Sequence, residues 1–347
     1  MKKNHYLHLL MLALLVFADP SLLRAGDKKA VAAGSFHALV LKQDGTLWSF
    51  GRNDYGQLGD GTKKFRSNPV KVLDHVRQIS AGDDFSMALL EDGTVWTWGD
   101  NDRGQLGDGT NTRRLRPQKI MDGISSIDAG SSHALAVGND GTLWAWGNNE
   151  SGQLGDGSDV ARNVPVRVMT GVRQASAGAI WIAAVKTDGS LWVWGDYVSK
   201  YTGDSFWVTT LRRSPVKILD GVRKVSVGAR HILAVMADGR LMAWGGNDVG
   251  QLGNGTSVRL CLIPELIMDG VDEACAGSGC SFVRRNDGSF WGWGYNNNGQ
   301  LGLGNCDVQS RPVRIADDVG DFSTGIGFSL WITPAGELKI TGNITGD

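Results

Sequence analysis

Three histidines, His37, His133 and His231, each stand three residues after a glycine, at Gly34, Gly130 and Gly228. Imidazoles recurring in one frame are the side chains from which a metal centre or a proton-transfer site is built. The same frame is filled elsewhere by Phe85, Trp181, Cys280 and Phe328. A ring of ligands has no use for phenylalanine or tryptophan. The histidines therefore read as structural, semi-buried hydrogen-bonding residues beside a central channel.

Acidic residues gather in Asp100-Asn101-Asp102-Arg103-Gly104 and in the Gly-Asp-Gly-Thr runs at Gly59 to Thr62 and Gly107 to Thr110. A calcium loop needs alternating oxygen ligands and a later bidentate acid. Here the spacing fails and no distal glutamate follows, so these runs read as Asx-type turns. No metal and no cofactor is expected. Nor is there a nucleophile elbow, a Walker loop, a dinucleotide fingerprint or a zinc-protease helix, and no catalytic residue is assigned.

The four cysteines, Cys261, Cys275, Cys280 and Cys306, are confined to one stretch of the chain. Four thiols allow three pairings. Cys275 and Cys280 flank the short connection Ala276-Gly277-Ser278-Gly279, while Cys261 and Cys306 fall in equivalent outer loops of neighbouring repeats. Disulfides and free buried thiols both remain open. Basic residues recur at Lys63, Lys64, Arg66, Arg113, Arg114, Arg116, Arg162, Arg212, Arg213, Arg259 and Arg311. They suit local pairing with acids in the same loops better than an anion-binding rim. Net charge is -1, which gives no case for nucleic acid or an acidic membrane surface.

The elements that carry these residues follow from one recurring dipeptide. Asp-Gly, followed by an apolar stretch, occurs at Asp44, Asp92, Asp140, Asp188, Asp238 and Asp287, with a degenerate copy at Ala335-Gly336. A period of about 48 residues means a solenoid or a propeller. Asp-Gly between two apolar runs is a hairpin signal, because the tight turn needs positive φ. In the third copy His133 to Val137 runs in, Asn139-Asp140-Gly141 turns, and Thr142 to Gly147 runs back. A later proline-led segment, Pro165 to Val168, reads as an edge strand, where a missing N–H does no harm. Paired tryptophans such as Trp96 and Trp98, or Trp144 and Trp146, lie two apart and share one sheet face, where core packing explains them better than sugar stacking.

Four-stranded units of this size bury both faces only when stacked radially. The expected fold is all-β: a seven-bladed β-propeller of four-stranded antiparallel blades over residues 26–347. Six proline-led strands serve seven hairpins. Closure therefore leaves either a three-stranded first blade or a role for the C-terminal run Ile340 to Ile344.

The run Gly130-Ser131-Ser132-His133 through Gly147-Asn148-Asn149-Glu150-Ser151-Gly152-Gln153-Leu154-Gly155 resembles the regulator of chromosome condensation repeat. Gly-Gln-Leu-Gly recurs at Gly56, Gly104, Gly250 and Gly299. The resemblance implies a propeller that binds proteins, and it extends to exported bacterial propellers of the type II β-lactamase inhibitor kind. It also implies, as an alternative, a guanine-nucleotide exchange factor acting on a small GTPase. A propeller enzyme acting on glycans is a third reading. Near-constant spacing without a wedge-type insertion speaks against the exchange factor.

Residues 1–25 read as a signal peptide: Lys2 and Lys3, then an apolar run from Leu7 to Phe17, with cleavage after Ala18 or Ala25. The run is too short to anchor in a bilayer, and a buried N-terminal helix is the other reading. The expectation is an exported monomer, periplasmic, surface-bound or secreted, with no membrane span after signal removal and a protein as its partner.

One repeat departs from the rest. After Trp194-Gly195 the glycine motif is replaced by Asp196-Tyr197-Val198-Ser199-Lys200-Tyr201-Thr202-Gly203-Asp204-Ser205-Phe206-Trp207. Tyr197, Tyr201, Phe206 and Trp207 on a loop form the expected partner-binding patch, since tyrosine and tryptophan dominate interface hot spots. Aromatics folded inward are the alternative.

Overall fold

The computed structural model describes residues 29–202 and 206–346, with the backbone alone over 197–202 and 206–211. The segment read as a signal peptide lies outside the described residues. Every described element is a β-strand, and the strands form seven antiparallel sheets arranged as a β-propeller.

Blade one shows the pattern: Val31–Ala33 along the axis, then His37–Leu41, Leu47–Gly51 and the outer strand Arg66–Leu73. The second strand is buried along its whole length. Both of its faces meet neighbouring blades, so it reads as a continuous apolar run rather than an alternating one. The outer strand begins three residues before Pro69, earlier than the proline-led reading placed it.

The Asp-Gly turns are built alike. Gly45 takes a φ of 81°, and the Asp44 carboxylate accepts from Thr46 N at 2.9 Å and Thr46 Oγ1 at 2.6 Å. Thr46 Oγ1 in turn accepts from Trp48 Nε1 at 3.0 Å. The same relay runs through Asp92, Thr94 and Trp96, and through Asp287, Ser289 and Trp291. Trp96, Trp192 and Trp291, each the first of its pair, are thus tied to their turns, and the second tryptophans are fully buried.

The axial strands are sheet edges around a channel of about 710 Å³. An edge leaves N–H groups unpaired. Here a small side chain of one blade accepts from the backbone of the next: Ser80 from Ala129 at 3.0 Å, Asp128 from Ala177 at 2.9 Å, Ser176 from Val227 at 3.1 Å and Ser226 from Ala276 at 2.9 Å. The same device closes the ring. Asp321 accepts from Val31 N at 2.9 Å, and Ser323 from Ala33 N at 3.0 Å. Phe328, Leu330 and Ile340 pack against Ala38, Val40 and Phe50 across that junction.

Blade one has four strands, and the three-stranded sheet is the last one: Phe322–Thr324, Phe328–Ile332 and Leu338–Gly342. Among the described residues, closure uses side-chain bonds and packing, not a strand shared between the two ends of the chain.

Candidate functional site

The loop after the third strand explains the glycine motif. Asn53 is fully buried, and its side-chain carbonyl accepts from Leu58 N at 3.0 Å while its amide donates to Thr62 O at 3.1 Å. Asp60 accepts from Thr62 N at 2.9 Å, an Asx turn, and pairs with Arg66 at 2.6 Å. Asn101, Asn149, Asn247 and Asn296 organise their loops the same way. The loop then inserts its leucine, fully buried at Leu58, Leu106, Leu154, Leu252 and Leu301, and aims the preceding glutamine carbonyl at the next blade.

That carbonyl is an inter-blade latch. Trp98 Nε1 donates to Gln57 O, Trp146 to Gln105 O, Trp194 to Gln153 O and Trp293 to Gln251 O, each at 2.9 Å. In blade seven Thr341 Oγ1 donates to Gln300 O at 3.0 Å. In blade one the latch position holds Phe50, which has no donor to satisfy.

The seam between blades four and five breaks this rule. Blade four has Tyr197 where the loop-organising asparagine belongs, and no Gly-Gln-Leu-Gly. Trp244 of blade five is fully buried, yet among the described residues its Nε1 has no hydrogen-bond partner. What fills the place of the missing loop is Trp181. A carbon added at Gly99, Gly147 or Gly294 would meet the Cα of Gln57, Gln105 or Gln251 at 3.2, 3.1 and 3.2 Å; at Gly245 it would meet the Trp181 ring at 2.9 Å. Trp181 is held by donation from its Nε1 to the Asp196 carbonyl. An indole fills the volume of the lost backbone but offers no carbonyl, which is why Trp244 is left unpaired.

This arrangement predicts a contrast. Trp98→Phe strips a buried carbonyl of one donor and should cost about 1–3 kcal/mol more than Trp244→Phe, which removes a donor that has nothing to bond. Urea unfolding of the two variants measures the difference.

Relieved of latch duty, residues 191–219 form a long hairpin. Leu191–Thr202 pairs with Phe206–Leu219, far beyond the five or six residues of other third strands. The positions expected on a loop therefore lie in a β-ribbon. Tyr201 pairs with Trp207, Thr202 with Phe206 and Tyr197 with Thr210, with an irregularity between Val198 and Lys200. Tyr197, Tyr201, Phe206 and Trp207 share the ribbon, and their side chains lie outside the described residues.

The histidines are not beside the channel. All three are fully buried between blades, and burial lowers their pKa values to about 3 for His37 and about 4 for His133 and His231. Ser86 Oγ donates to Gln57 O at 2.8 Å, so His37 Nε2 must donate to Ser86 Oγ, 2.9 Å away. His231, Ser281 and Gln251 repeat the chain. His133 faces Ile182 in the corresponding place, and both of its ring nitrogens are unpartnered.

All four cysteines are free thiols. Cys275 and Cys280 sit in adjacent strands, and burial raises them to about 12 and about 11, so neither is a nucleophile. Cys261 and Cys306 are not in equivalent loops: Cys261 pairs with Gly245 inside an outer strand, where blade six has Gln309 opposite Gly294. Many of the recurring cations are paired locally, Arg114 with Asp108 at 2.6 Å, Arg162 with Asp156 at 2.9 Å and Arg213 with Asp159 at 2.7 Å. Asp84 is raised to about 6 by burial and by Asp83 beside it, and burial also raises the wholly buried Asp321.

Sequence reasoning missed the Trp181 plug. The signal was present: the one tryptophan in the histidine frame belongs to the one complete blade without the glycine motif.

The family model described as RCC1-like domain matches residues 13–180, and the model for the Regulator of chromosome condensation (RCC1) repeat matches 222–251, 238–283 and 287–330. Among solved structures, human WBSCR16 is similar at 23% identity with a TM-score of 0.77, covering 92% of this chain and 88% of that one. Yeast RCC1 (Prp20) bound to Kap60 is similar at 23% identity with a TM-score of 0.75, covering 90% and 79%. Prp20p from Saccharomyces cerevisiae, whose binding to Gsp1p and histones was described with its structure, is similar at 24% with a TM-score of 0.74, covering 90% and 81%. At these identities the likeness is one of fold. By its repeat matches and its seven sheets, this chain is an RCC1-like seven-bladed β-propeller.

Proposed function

We propose that the chain is an exported protein-binding propeller of the bacterial inhibitor-like kind, not an enzyme, and that the blade-four ribbon is its contact element. The observation that carries this reading is the replacement of the latch loop by Trp181. With the indole at the seam, the hairpin beyond Asp196 has no latch loop to supply, and its tyrosines and tryptophan are residue types suited to recognition. The yeast relative's binding of Kap60, Gsp1p and histones supports the class of function, a propeller that meets other proteins, and leaves the partner of this chain open.

The test is affinity capture from envelope and culture-supernatant fractions with the chain lacking residues 1–25. The Tyr201→Ala, Trp207→Ala variant is run in parallel. The expected result is a protein held by the unaltered chain and lost with the variant, without a shift in melting temperature. Capture unaffected by the variant, or a fall in melting temperature, would remove the ribbon from the interface.

A further inference from the structure

We infer that the rim of blade five is a second docking surface, for an extended partner segment with an aliphatic centre and acidic residues on both sides. Two positions of each outer strand point to solvent. In five blades they are Asn68 and Lys71, Arg116 and Lys119, Val164 and Arg167, Ser214 and Lys217, and Arg311 and Arg314, so each rim carries a cation. Cationic side chains of this kind protect a sheet edge from pairing with other chains.

Blade five alone has two aliphatic residues there, Ile263 at 75% exposure and Leu266 at 53%. Val258, 62% exposed, precedes them. The substitution runs through the blade. Cys261 stands where Arg66, Arg114 and Arg162 pair with a loop aspartate, and that loop acid is now Asn254. The remaining acid of the strand, Glu265, is held by Asn254 at 2.7 Å and Cys261 at 3.0 Å. The strand therefore presents an uncharged apolar pair.

The neighbouring rims decide the occupant. Lys217 of blade four and Arg311 and Arg314 of blade six are exposed on either side. Lys217 and Arg314 pair with Asp220 and Asp317, but both are exposed pairs of small energetic weight that an incoming acid can exchange. A partner with aliphatic side chains at its centre and carboxylates at its flanks satisfies all three rims. A second copy, docked rim to rim about a two-fold axis, would bring these cations against their own equivalents. Pro264 interrupts the edge, so side-chain contacts rather than a continued ladder carry the affinity.

The surface is independent of the ribbon, and the experiment separates the two. A fluorescein-labelled peptide with a Leu-Ile-Leu centre between paired Asp and Glu is titrated against the chain by fluorescence polarisation. Its controls have the same centre between lysines, or the same acids around Gly-Ser. The acidic, aliphatic peptide should bind at least tenfold more tightly than either control. Binding should weaken at least tenfold in Ile263→Lys, Leu266→Lys and also in Ile263→Ser, Leu266→Ser. The Tyr201→Ala, Trp207→Ala variant should bind it unchanged. Equal binding of all three peptides, or no loss in the serine variant, overturns the proposal. So does a dimer in sedimentation, or binding to anionic vesicles, that the serine variant abolishes while peptide binding is absent.

Discussion

Trp181→Ala should destabilise the propeller by about 3–5 kcal/mol, the cost of a large buried aromatic truncated without collapse around the cavity. The side chain is almost wholly buried and packs with Val193, Val222, Val225 and Trp244 at the seam of blades four and five. At five other seams a leucine and a glutamine backbone occupy the equivalent place, and among the described residues Trp181 is what stands there at this one. Trp181→His, which restores the residue of blades one, three and five, should be nearly as damaging, because imidazole is too small to fill the slot. Excising the ribbon beyond Asp196 and joining its ends by a short turn should leave stability within about 0.5 kcal/mol, as for surface changes away from packed features. Urea midpoints at neutral pH measure all three. If ribbon removal costs as much as loss of Trp181, the hairpin itself closes the seam and the plug account fails.

The second large effect is acid lability. An unfolded chain protonates its histidines near pH 6.5, whereas in the fold burial lowers them to about 3 for His37 and about 4 for His133 and His231. Below pH 6.5 the unfolded state binds more protons, so stability is fully present above that pH and is lost as pH falls toward 4. Asp84 works in the opposite direction: raised to about 6, it takes up its proton in the fold before the unfolded chain does, and so favours the fold as pH drops from 6 to below 4. Asp83, Asp196 and Asp321, also raised by burial, act in the same sense as Asp84, so the histidine contribution is read from a histidine variant and not from the whole acid profile.

His133 isolates the effect. It has no hydrogen bond to lose, and blades two and seven already accommodate phenylalanine in its frame. His133→Phe should therefore raise stability at pH 5 by about 2 kcal/mol relative to its effect at pH 8. Guanidinium unfolding of both proteins at the two pH values gives the number. An equal change at both pH values would mean that His133 titrates normally and is not sealed between the blades. His37→Phe is the informative comparison, because it also breaks the bond to Ser86 and should gain less.

Much of this molecule is legible in the chain because its instructions are local and repeated. Asp-Gly turns, continuous apolar second strands and prolines in outer strands each dictate a short element. Repetition at a constant spacing leaves few architectures other than a ring of blades. That the histidine frame is a packing position was also legible, since it accepts phenylalanine. The departure of blade four could be seen from Asp196 to Trp207.

What the sequence could not supply is anything that depends on which blade touches which. That glutamine carbonyls latch tryptophans and that Trp181 moves into the space of an absent loop are relations between residues about 40 to 65 positions apart. The missing motif reads in one dimension as a loosened loop; in three it is a ribbon, because Tyr197 removes the asparagine that would have folded the loop on itself. The place of closure was equally undecidable from counting strands, since six outer strands for seven blades fit either end, and only the Asp321 and Ser323 bonds to the first strand fix the last blade as the short one. Local sequence determines the blade because hydrogen bonds within a hairpin are made between near neighbours. The seams are decided by volume and by unpaired polar atoms, and those exist only once the ring is closed.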